Sequence, residues 1–505
     1  MNDIENAYSD LIARIEQIPF ADGAEFLYGA FRTLSKSDFL IPGKHFLSVF
    51  EMAAIAKWIY LNAHSRKPRP VDWASVINAY KTLWREVENQ TVYPDNPEVI
   101  ASFILRFVYQ QLIWKITQSK MQGNFQRTLG VFGGKSSSAR ELHRMFEDAS
   151  GLPLEEFMKI AHAMYGIFSN QERVPAHIFA DTLLQYFTPA HISNAERILV
   201  ATRGQFRKYY ESHASALLSG IPYELNPLLR YPIMLRDDHY WCVYPELINY
   251  ASTRGLYFYI ADKVGGVFNQ AFSCAFEDYV YKLFLDLSMA ENILTEDDER
   301  RAGWKGKTND LTIFLGDSAI LFECKNSCLF SISKRSASPS DLVTDIRRNL
   351  ANAKEKVGLF QLHLKLEAIR NGRLPEPLKT RYASVKKFYP VILLHDEIWF
   401  ANRAETLKNL IDNELRTNSV DVFEYQIWHV EELEHLLKTV PQSELLRTIE
   451  DKFSSPECRS LDLSVYLSHK FGLKHLGLNL FVPTGDSKAW AILRKLADAD
   501  NRCID

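Results

Sequence analysis

The chain has few cysteines, no long apolar run and no export signal. Only six cysteines occur in 505 residues, and a chain of this length can bury a sizeable core without disulfides. A membrane-spanning helix needs about 18 or more apolar residues in succession, whereas the best candidate, residues 46–61, is interrupted by Glu51 and Lys57. The first ten residues carry acids where a signal peptide carries basic residues. We therefore expect a cytoplasmic protein with reduced thiols.

Zinc-finger and nucleotide-binding motifs are also missing. Cys324 and Cys328 have a suggestive spacing, but no second cysteine pair and no close histidine pair completes a zinc site. Segment 130–136 resembles a phosphate-binding loop, yet its glycine spacing is too short and no strand precedes it. Segment 395–397, His-Asp-Glu, directly follows a predicted strand and is interpreted as a turn rather than a metal site.

The hydrophobic pattern divides the chain into three parts. Residues 1–220 are almost wholly helical in pattern and predict a domain with a regulatory or recognition role. Residues 221–435 mix strands with helices and begin with a β-hairpin over 229–244. Residues 436–505 predict a small helical appendix. Four stretches of the first part carry apolar residues three to four apart: residues 4–15, 46–61, 73–87 and 99–116.

The middle part predicts an ordered alternation of helices and strands. We expect, in chain order, a helix over 266–287, strands near 293–296 and over 309–324, a long helix over 340–369, a strand over 389–394, a helix near 405–414 and a strand over 422–429. Helices that interrupt strands imply a mixed sheet covered on both faces. The predicted fold class is therefore a multi-domain α+β protein with a helical amino-terminal domain.

The segment 308–325 has the clearest pattern in the chain. Two apolar runs flank Gly316-Asp317, a dipeptide suited to a two-residue hairpin turn. Counting outward from that turn places Asp310 directly opposite Glu323, with Cβ atoms about 5 Å apart on one face. Because side chains alternate along a strand, Lys325 lies on the same face.

Three charged residues at one end of an otherwise apolar hairpin need compensation. Burying each would cost several kcal/mol without a partner. Two carboxylates can hold Mg²⁺, which keeps several waters, and a lysine beside it can orient or deprotonate a water for attack on a phosphodiester. The alternative is a buried ion pair of Lys325 with Asp310 or Glu323 that compensates its own charges and has no catalytic role.

Asn309-Asp310 followed by Glu323-Cys324-Lys325 resembles the signature of the PD-(D/E)XK, or restriction-endonuclease-like, nuclease superfamily. The order helix, three strands, helix, strand over about residues 266–430 is similar to its αβββαβ core, and only Asn309, where proline is usual, departs from the motif. The resemblance implies hydrolysis of nucleic-acid phosphodiesters with Mg²⁺, for which Mn²⁺ substitutes. Asp310, Glu323 and the Cys324 carbonyl would be metal ligands, and Lys325 would position the water.

The resemblance also implies a biological setting. The superfamily mostly cuts DNA, so DNA is expected over RNA and endonuclease over exonuclease action. Helical domains fused to such nucleases suggest a role in restriction or antiviral defence, with a homodimer as the expected assembly.

Further residues are predicted to serve the site. Glu277, on the helix before the strands, matches a position where many superfamily members have a catalytic carboxylate; the alternative is a solvated glutamate on the helix surface. On the predicted helix 340–369, Arg347, Lys354 and Gln361 form one row beside the apolar stripe and are candidates for nucleic-acid binding. They could equally be ordinary flanking residues.

Positive charge is concentrated just after the proposed site. Residues 326–390 hold thirteen lysines and arginines against five acids, a net +8 in a chain whose total is −3. Phosphate contacts by such residues supply most sequence-independent affinity for nucleic acid. The serine-rich loop with Lys334 and Arg335 is predicted to clamp a strand, although a solvated basic face remains the alternative.

Two other functions are weighed against a nuclease. A nuclease fold could serve only as a nucleic-acid-binding module, which the intact Asp310, Glu323 and Lys325 argue against. Arg207 and His213 fit the spacing of the HEPN ribonucleases, which the helical part resembles in that spacing alone.

Overall fold

A computed structural model describes residues 2–34, 48–64, 70–90, 96–114, 118–214, 226–326 and 339–472, together with Ala491. Over these residues the protein is mostly helical, with a helical amino-terminal region and a five-stranded mixed sheet in the middle of the chain. This much of the predicted fold class is confirmed. No helix in the described ranges is both long enough and apolar enough to cross a membrane.

The amino-terminal half contains thirteen helices and four short strands among its described residues. Helix α3 begins with a capping box, in which the Ser48 hydroxyl accepts from the Glu51 N–H and the Glu51 carboxylate accepts from the Ser48 N–H. In chain order the elements are α1 (Asn2–Ile15), α2 (Phe20–Leu34), α3 (Val49–Asn62), α4 (Trp73–Gln90), α5 (Pro97–Leu112), α6 (Gln118–Phe132), α7 (Ser137–Ser150), α8 (Leu154–Phe168), β1 (Arg173–Pro175), α9 (Ala176–Leu184), α10 (Pro189–Leu199), β2 (Val200–Thr202), α11 (Arg203–Glu211), β3 (Ile233–Arg236), β4 (His239–Trp241), α12 (Glu246–Ser252) and α13 (Arg254–Val264).

The predicted hairpin near residue 236 is formed by β3 and β4. Its turn residues Asp237 and Asp238 both have positive φ, 50° and 56°, as a tight two-residue turn of the primed type requires. The hairpin pairs with β1 and β2, giving a four-stranded sheet in the order β1-β4-β3-β2. Its neighbours therefore come from the helical part of the chain.

The second half is built around the larger sheet. Its elements are α14 (Gly266–Leu285), β5 (Ile293–Thr295), α15 (Glu296–Arg301), β6 (Leu311–Leu315), β7 (Ser318–Lys325), α16 (Pro339–Asn349), β8 (Ala351–Asn352), β9 (Val357–Gly358), α17 (Leu359–Arg370), α18 (Glu376–Tyr382), β10 (Lys387–Leu394), a π-helical turn (Ala404–Lys408), α19 (Asn409–Thr417), β11 (Gln426–His429), α20 (Val430–Thr439), α21 (Gln442–Ser454), α22 (Pro456–Ser460) and α23 (Leu463–Phe471).

The five strands lie in the order β11-β10-β7-β6-β5. Strand β6 is antiparallel to both of its neighbours, β5 and β7, whereas β7, β10 and β11 are parallel. Ala319 and Leu321 of β7 pack in one core cluster with residues of α16 and α17. The alternate residue Phe322 contacts Phe284 of α14. Both faces of the sheet are therefore covered, which explains the nearly continuous apolar pattern of its strands.

The long helix predicted over 340–369 is wrong. The chain leaves the helix after Asn349, forms the small β8-β9 hairpin and begins a second helix at Leu359. Gly358 allows this path, because its φ is 67° and an added Cβ would lie 2.1 Å from the Leu350 carbonyl oxygen. The Leu359 N–H then donates to that same carbonyl. The predicted row of Arg347, Lys354 and Gln361 along a single helix therefore does not exist.

The chain divides into two compact units that interleave in sequence. One comprises residues 1–92 and 110–271, and the other comprises residues 93–109 and 272–505. Ala101 and Leu105 of α5 belong to the core of the second unit, beside residues of the five-stranded sheet. The predicted boundaries at 220 and 435, and the roles assigned to those parts, stay predictions.

Candidate functional site

The hairpin β6-β7 has the predicted register. Leu315 pairs with Ser318 and the pairing continues outward to Leu311 and Phe322. Asp310 stands one step beyond, and its N–H donates to the Phe322 carbonyl at 3.1 Å. Asp310 and the Glu323-Lys325 segment therefore lie together at the open end of the hairpin, as the sequence predicted.

Hydrogen bonds connect these groups. Oδ2 of Asp310 accepts from the Cys324 N–H at 2.6 Å. Lys325 Nζ donates to Glu323 Oε1 at 2.6 Å. The other carboxylate oxygen, Oε2 of Glu323, is buried and has no hydrogen-bond partner among the described residues. An unsatisfied buried carboxylate oxygen is costly, so it needs either a proton or a cation.

Two more carboxylates act on this group. Burial, followed by the charges of Asp310, Glu323 and Glu296, raises the pKa of Glu277 to about 9. Glu277 on α14 therefore lies near enough to the hairpin end to feel these charges, and its catalytic role stays a prediction. The second carboxylate, Glu296, was not predicted as part of the site. Its N–H donates to the Asp310 carbonyl at 3.2 Å. No sequence signal marks it, because it begins α15 within an acidic run that resembles an ordinary exposed helix start.

The electrostatics of the hairpin end favour a bound cation. Burial raises the pKa of Asp310 to about 6, against the opposing attraction of Lys325 and the Cys324 N–H. Burial and the charge of Asp310 raise the pKa of Glu323 to about 8. For Lys325, burial acts to lower the pKa, but the carboxylates of Glu323 and Asp310 outweigh it and raise that pKa above its ordinary value. The Lys325 ammonium alone therefore does not keep Glu323 and Glu277 ionised at pH 7.

A chain of buried hydrogen bonds supports the residue before Asp310. Asn309 Nδ2 donates to the Thr312 hydroxyl at 3.1 Å, and the hydroxyls of Thr312 and Tyr382 are 3.1 Å apart. Tyr382 donates to Glu299 Oε1 at 3.1 Å, and Lys365 Nζ donates to the same oxygen at 2.5 Å. The sequence analysis missed this network, because its members are spread over residues 299–382 and only the packing of α15, α17 and α18 brings them together.

The residues predicted to bind nucleic acid are dispersed. Lys334 and Arg335 lie outside the described residues. The Arg347 guanidinium pairs with Glu414, with 2.8 Å between Nε and Oε2. Lys354 is exposed in the β8-β9 turn, and Gln361 is buried in the first turn of α17. Nucleic-acid binding by these residues stays a prediction.

Much of the basic segment 326–390 is engaged within the protein. Lys365 is buried against Glu299, and Arg381 donates to the carbonyls of Glu291 and Ile293. Three further lysines form ion pairs at the surface: Lys379 with Glu376, Lys386 with Asp317 and Lys387 with Glu450. In the described part of this segment, five exposed basic residues form no such pair: Arg348, Lys354, Lys356, Arg370 and Arg373.

The alternative ribonuclease residues also have local roles. Arg207 on α11 donates to the Leu61 carbonyl at 2.7 Å. The His213 ring lies 4.4 Å from the Tyr209 ring and bonds the Tyr209 carbonyl. Segment 130–136 begins in the last turn of helix α6 and caps α7 through Ser136, so a helix and not a strand precedes its loop.

Comparison of the chain with protein-family models, curated proteins and solved structures finds no match. The likeness to the restriction-endonuclease superfamily therefore depends on the residues and geometry described above.

Proposed function

We propose that this protein is a Mg²⁺-dependent nuclease whose catalytic unit, residues 266–430, has a restriction-endonuclease-like core. The observation that carries the proposal is the convergence of Asp310, Glu323 and Lys325 at the end of a central hairpin, with one Glu323 oxygen buried and unsatisfied. The order α14, β5, β6, β7, α16, β10 supports the finer fold assignment, because it follows the helix, three strands, helix, strand sequence of that core once the inserted elements α15, β8, β9, α17 and α18 are set apart.

The donor set fits Mg²⁺. Asp310 and Glu323 supply hard oxygen ligands, with the Cys324 carbonyl beside them and Glu277 facing them from α14. When bound, the ion polarises a phosphoryl oxygen and acidifies a coordinated water.

Lys325 has a narrower role than the sequence suggested. Its raised pKa keeps it an ammonium at neutral pH, so it cannot remove a proton from water. We propose that it orients the water and stabilises negative charge that develops on the phosphate. Glu323 holds the ammonium in place through the 2.6 Å hydrogen bond.

The direct test incubates the purified full chain with plasmid, linear DNA and RNA, in Mg²⁺ or Mn²⁺ and in EDTA. We expect metal-dependent cleavage, with DNA cut in preference to RNA. Asp310→Asn, Glu323→Gln and Lys325→Met should each reduce cleavage by about 10²-fold or more. Asp317→Asn is the matched control, because Asp317 lies at the opposite end of the same hairpin, is partly exposed, and contacts only Lys386 and the Ser318 hydroxyl through its carboxylate among the described residues.

The rival functions give different outcomes. A binding module would retain DNA in a mobility-shift assay without cutting it in either metal. A HEPN-type ribonuclease would cut RNA in EDTA and lose that activity in His213→Ala, while Asp310→Asn stayed active. Equal loss of activity in Asp310→Asn and Asp317→Asn would point to a folding defect and would count against the proposed site.

A further inference from the structure

A second group of metal-ligating side chains lies at the same edge of the five-stranded sheet. Strands β7, β10 and β11 are parallel, and Lys325, Leu394 and His429 are register neighbours at their carboxyl ends. Glu397 follows three residues after the end of β10, and Glu431 lies at the start of α20, directly after β11. With about 4.8 Å between adjacent strands, the His429 and Lys325 backbones are roughly 10 Å apart.

Glu397, His429 and Glu431 converge closely. One ligand atom from each, a ring nitrogen of His429 and a carboxylate oxygen of each glutamate, all lie within 4.8 Å of one another. The exposed fractions of the three residues are 9%, 4% and 6%. This is a built, buried cluster, and it shares no residue with the Asp310-Glu323 group.

The composition of the cluster points to a cation. Two carboxylates held this close in a buried position repel each other, and burial strengthens that repulsion. A divalent cation placed among the three donor atoms would compensate both charges. The donor atoms lie within 4.8 Å of one another. A tetrahedral Zn²⁺ site with ligand distances of about 2.0–2.2 Å places its ligand atoms about 3.4 Å apart, so binding requires these side chains to move together by no more than about 1.4 Å.

The donor types narrow the choice of ion. Imidazole favours first-row transition metals and zinc, whereas Mg²⁺ and Ca²⁺ prefer oxygen ligands alone. Three protein ligands leave a fourth position open for water, as in zinc sites with a chemical rather than a purely structural role. We propose that Glu397, His429 and Glu431 form a binding site for a first-row divalent cation, with Zn²⁺ as the representative ion.

The test must separate this site from the first one. Asp310→Asn/Glu323→Gln in the full chain removes the ligands proposed for Mg²⁺. In this background we expect equilibrium dialysis against Zn²⁺, followed by elemental analysis, to find one additional Zn²⁺ per chain that requires the cluster. Glu397→Gln and Glu431→Gln, both isosteric, should each weaken that binding by at least about tenfold. His429→Gln should abolish it.

Matched controls and a spectroscopic signal distinguish the loss of a metal ligand from misfolding of the variant. His363→Gln and Glu376→Gln remove the same side-chain types from partly or fully exposed positions of the same unit, and they should leave Zn²⁺ binding unchanged. Co²⁺ in place of Zn²⁺ should give visible absorption bands that shift when His429 is replaced. The melting temperature should rise with Zn²⁺ in the background protein and not in Glu397→Gln.

Two results would overturn the proposal. The first is that the background protein retains no Zn²⁺ above the level in the buffer. The second is that Glu397→Gln, Glu431→Gln and His429→Gln retain Zn²⁺ as well as the background protein does. Neither result depends on whether the protein cuts nucleic acid, because the readout is bound metal.

Discussion

The buried pair of Lys365 and Glu299 allows a sharp prediction. Both side chains are almost fully inaccessible, at 0% and 1% exposure, and Nζ lies 2.5 Å from Oε1. Replacement by methionine, Lys365→Met, keeps the length of the side chain and removes its charge. Glu299 then keeps only the Tyr382 hydroxyl as a hydrogen-bond partner among the described residues.

Lys365→Met should lower the free energy of unfolding by a large amount. Removing one member of a buried ion pair typically destabilises a protein by about 3–5 kcal/mol, because the other charge is left uncompensated. That is a large part of a total stability of roughly 5–15 kcal/mol. Replacing both members, Glu299→Gln/Lys365→Met, removes the stranded charge, so we expect the double variant to be more stable than Lys365→Met alone.

The pKa of Glu299 determines how the stability deficit of Lys365→Met changes with pH. Burial already raises the pKa of Glu299 above its ordinary value of 4.5, against the opposing effect of Lys365, so removing the ammonium raises it further. A group whose folded pKa exceeds its unfolded pKa contributes stability at low pH and loses it as pH rises through the folded pKa. Lys365→Met should therefore be closest to wild type near pH 5 and least stable above pH 7.

Urea unfolding of the wild type and the two variants at pH 5 and pH 8 measures these differences. A Lys365→Met deficit that does not change with pH would refute the reasoning, because it would mean that Glu299 carries no stranded charge. A double variant less stable than the single variant would refute it as well, since packing and not charge would then dominate.

Three other predictions follow from the same geometry. Burial raises the pKa values of Glu323 and Glu277 to about 8 and about 9, so Mg²⁺ must displace protons at pH 7; calorimetry in two buffers of different ionisation enthalpy should detect proton release, and identical heats would contradict it. Tyr382→Phe removes the hydroxyl that joins Thr312 to Glu299 and should lower the free energy of unfolding by about 1–3 kcal/mol, measured in urea. Gly358→Ala should destabilise more than Gly372→Ala by about 1 kcal/mol or more, because both residues have positive φ but only the first would clash with a backbone oxygen; equal melting temperatures would contradict the clash.

The sequence predicted the hairpin because all its determinants are local. Gly316-Asp317 defines the turn, and a side-chain period of two then fixes which residues face each other. The register from Leu315 to Leu311 follows from counting, and Asp310 and Glu323 come together as a consequence. The five strands of the larger sheet and helix α14 were predictable for the same reason, since each has its own pattern, whereas α15, the β8-β9 hairpin and α18 were not predicted.

Features that depend on distant contacts were missed. The apolar stripe runs through residues 346–364 without a break in period, so nothing in the pattern indicated that Gly358 would split the helix. Strands β1 and β2 have three residues each, too few for any periodicity to appear. Glu397 precedes His429 by 32 residues, and only the parallel pairing of β10 with β11 brings them together.

The two candidate cation sites are joined by one short segment. The His395 N–H donates to the Lys325 carbonyl at 3.0 Å, and Glu397 stands two residues further along. A cation held by Glu397 would therefore restrain the backbone that is hydrogen-bonded to the Lys325 carbonyl, while Glu323 and Asp310 restrain the Lys325 ammonium. Coupling between binding sites is reciprocal in free energy. If Zn²⁺ at the cluster changes the Mg²⁺ affinity of the hairpin by some factor, Mg²⁺ at the hairpin must change the Zn²⁺ affinity of the cluster by the same factor. Because β10 is the strand between Lys325 and His429, we expect this coupling to pass through residues 395–397 and to be lost in Glu397→Gln.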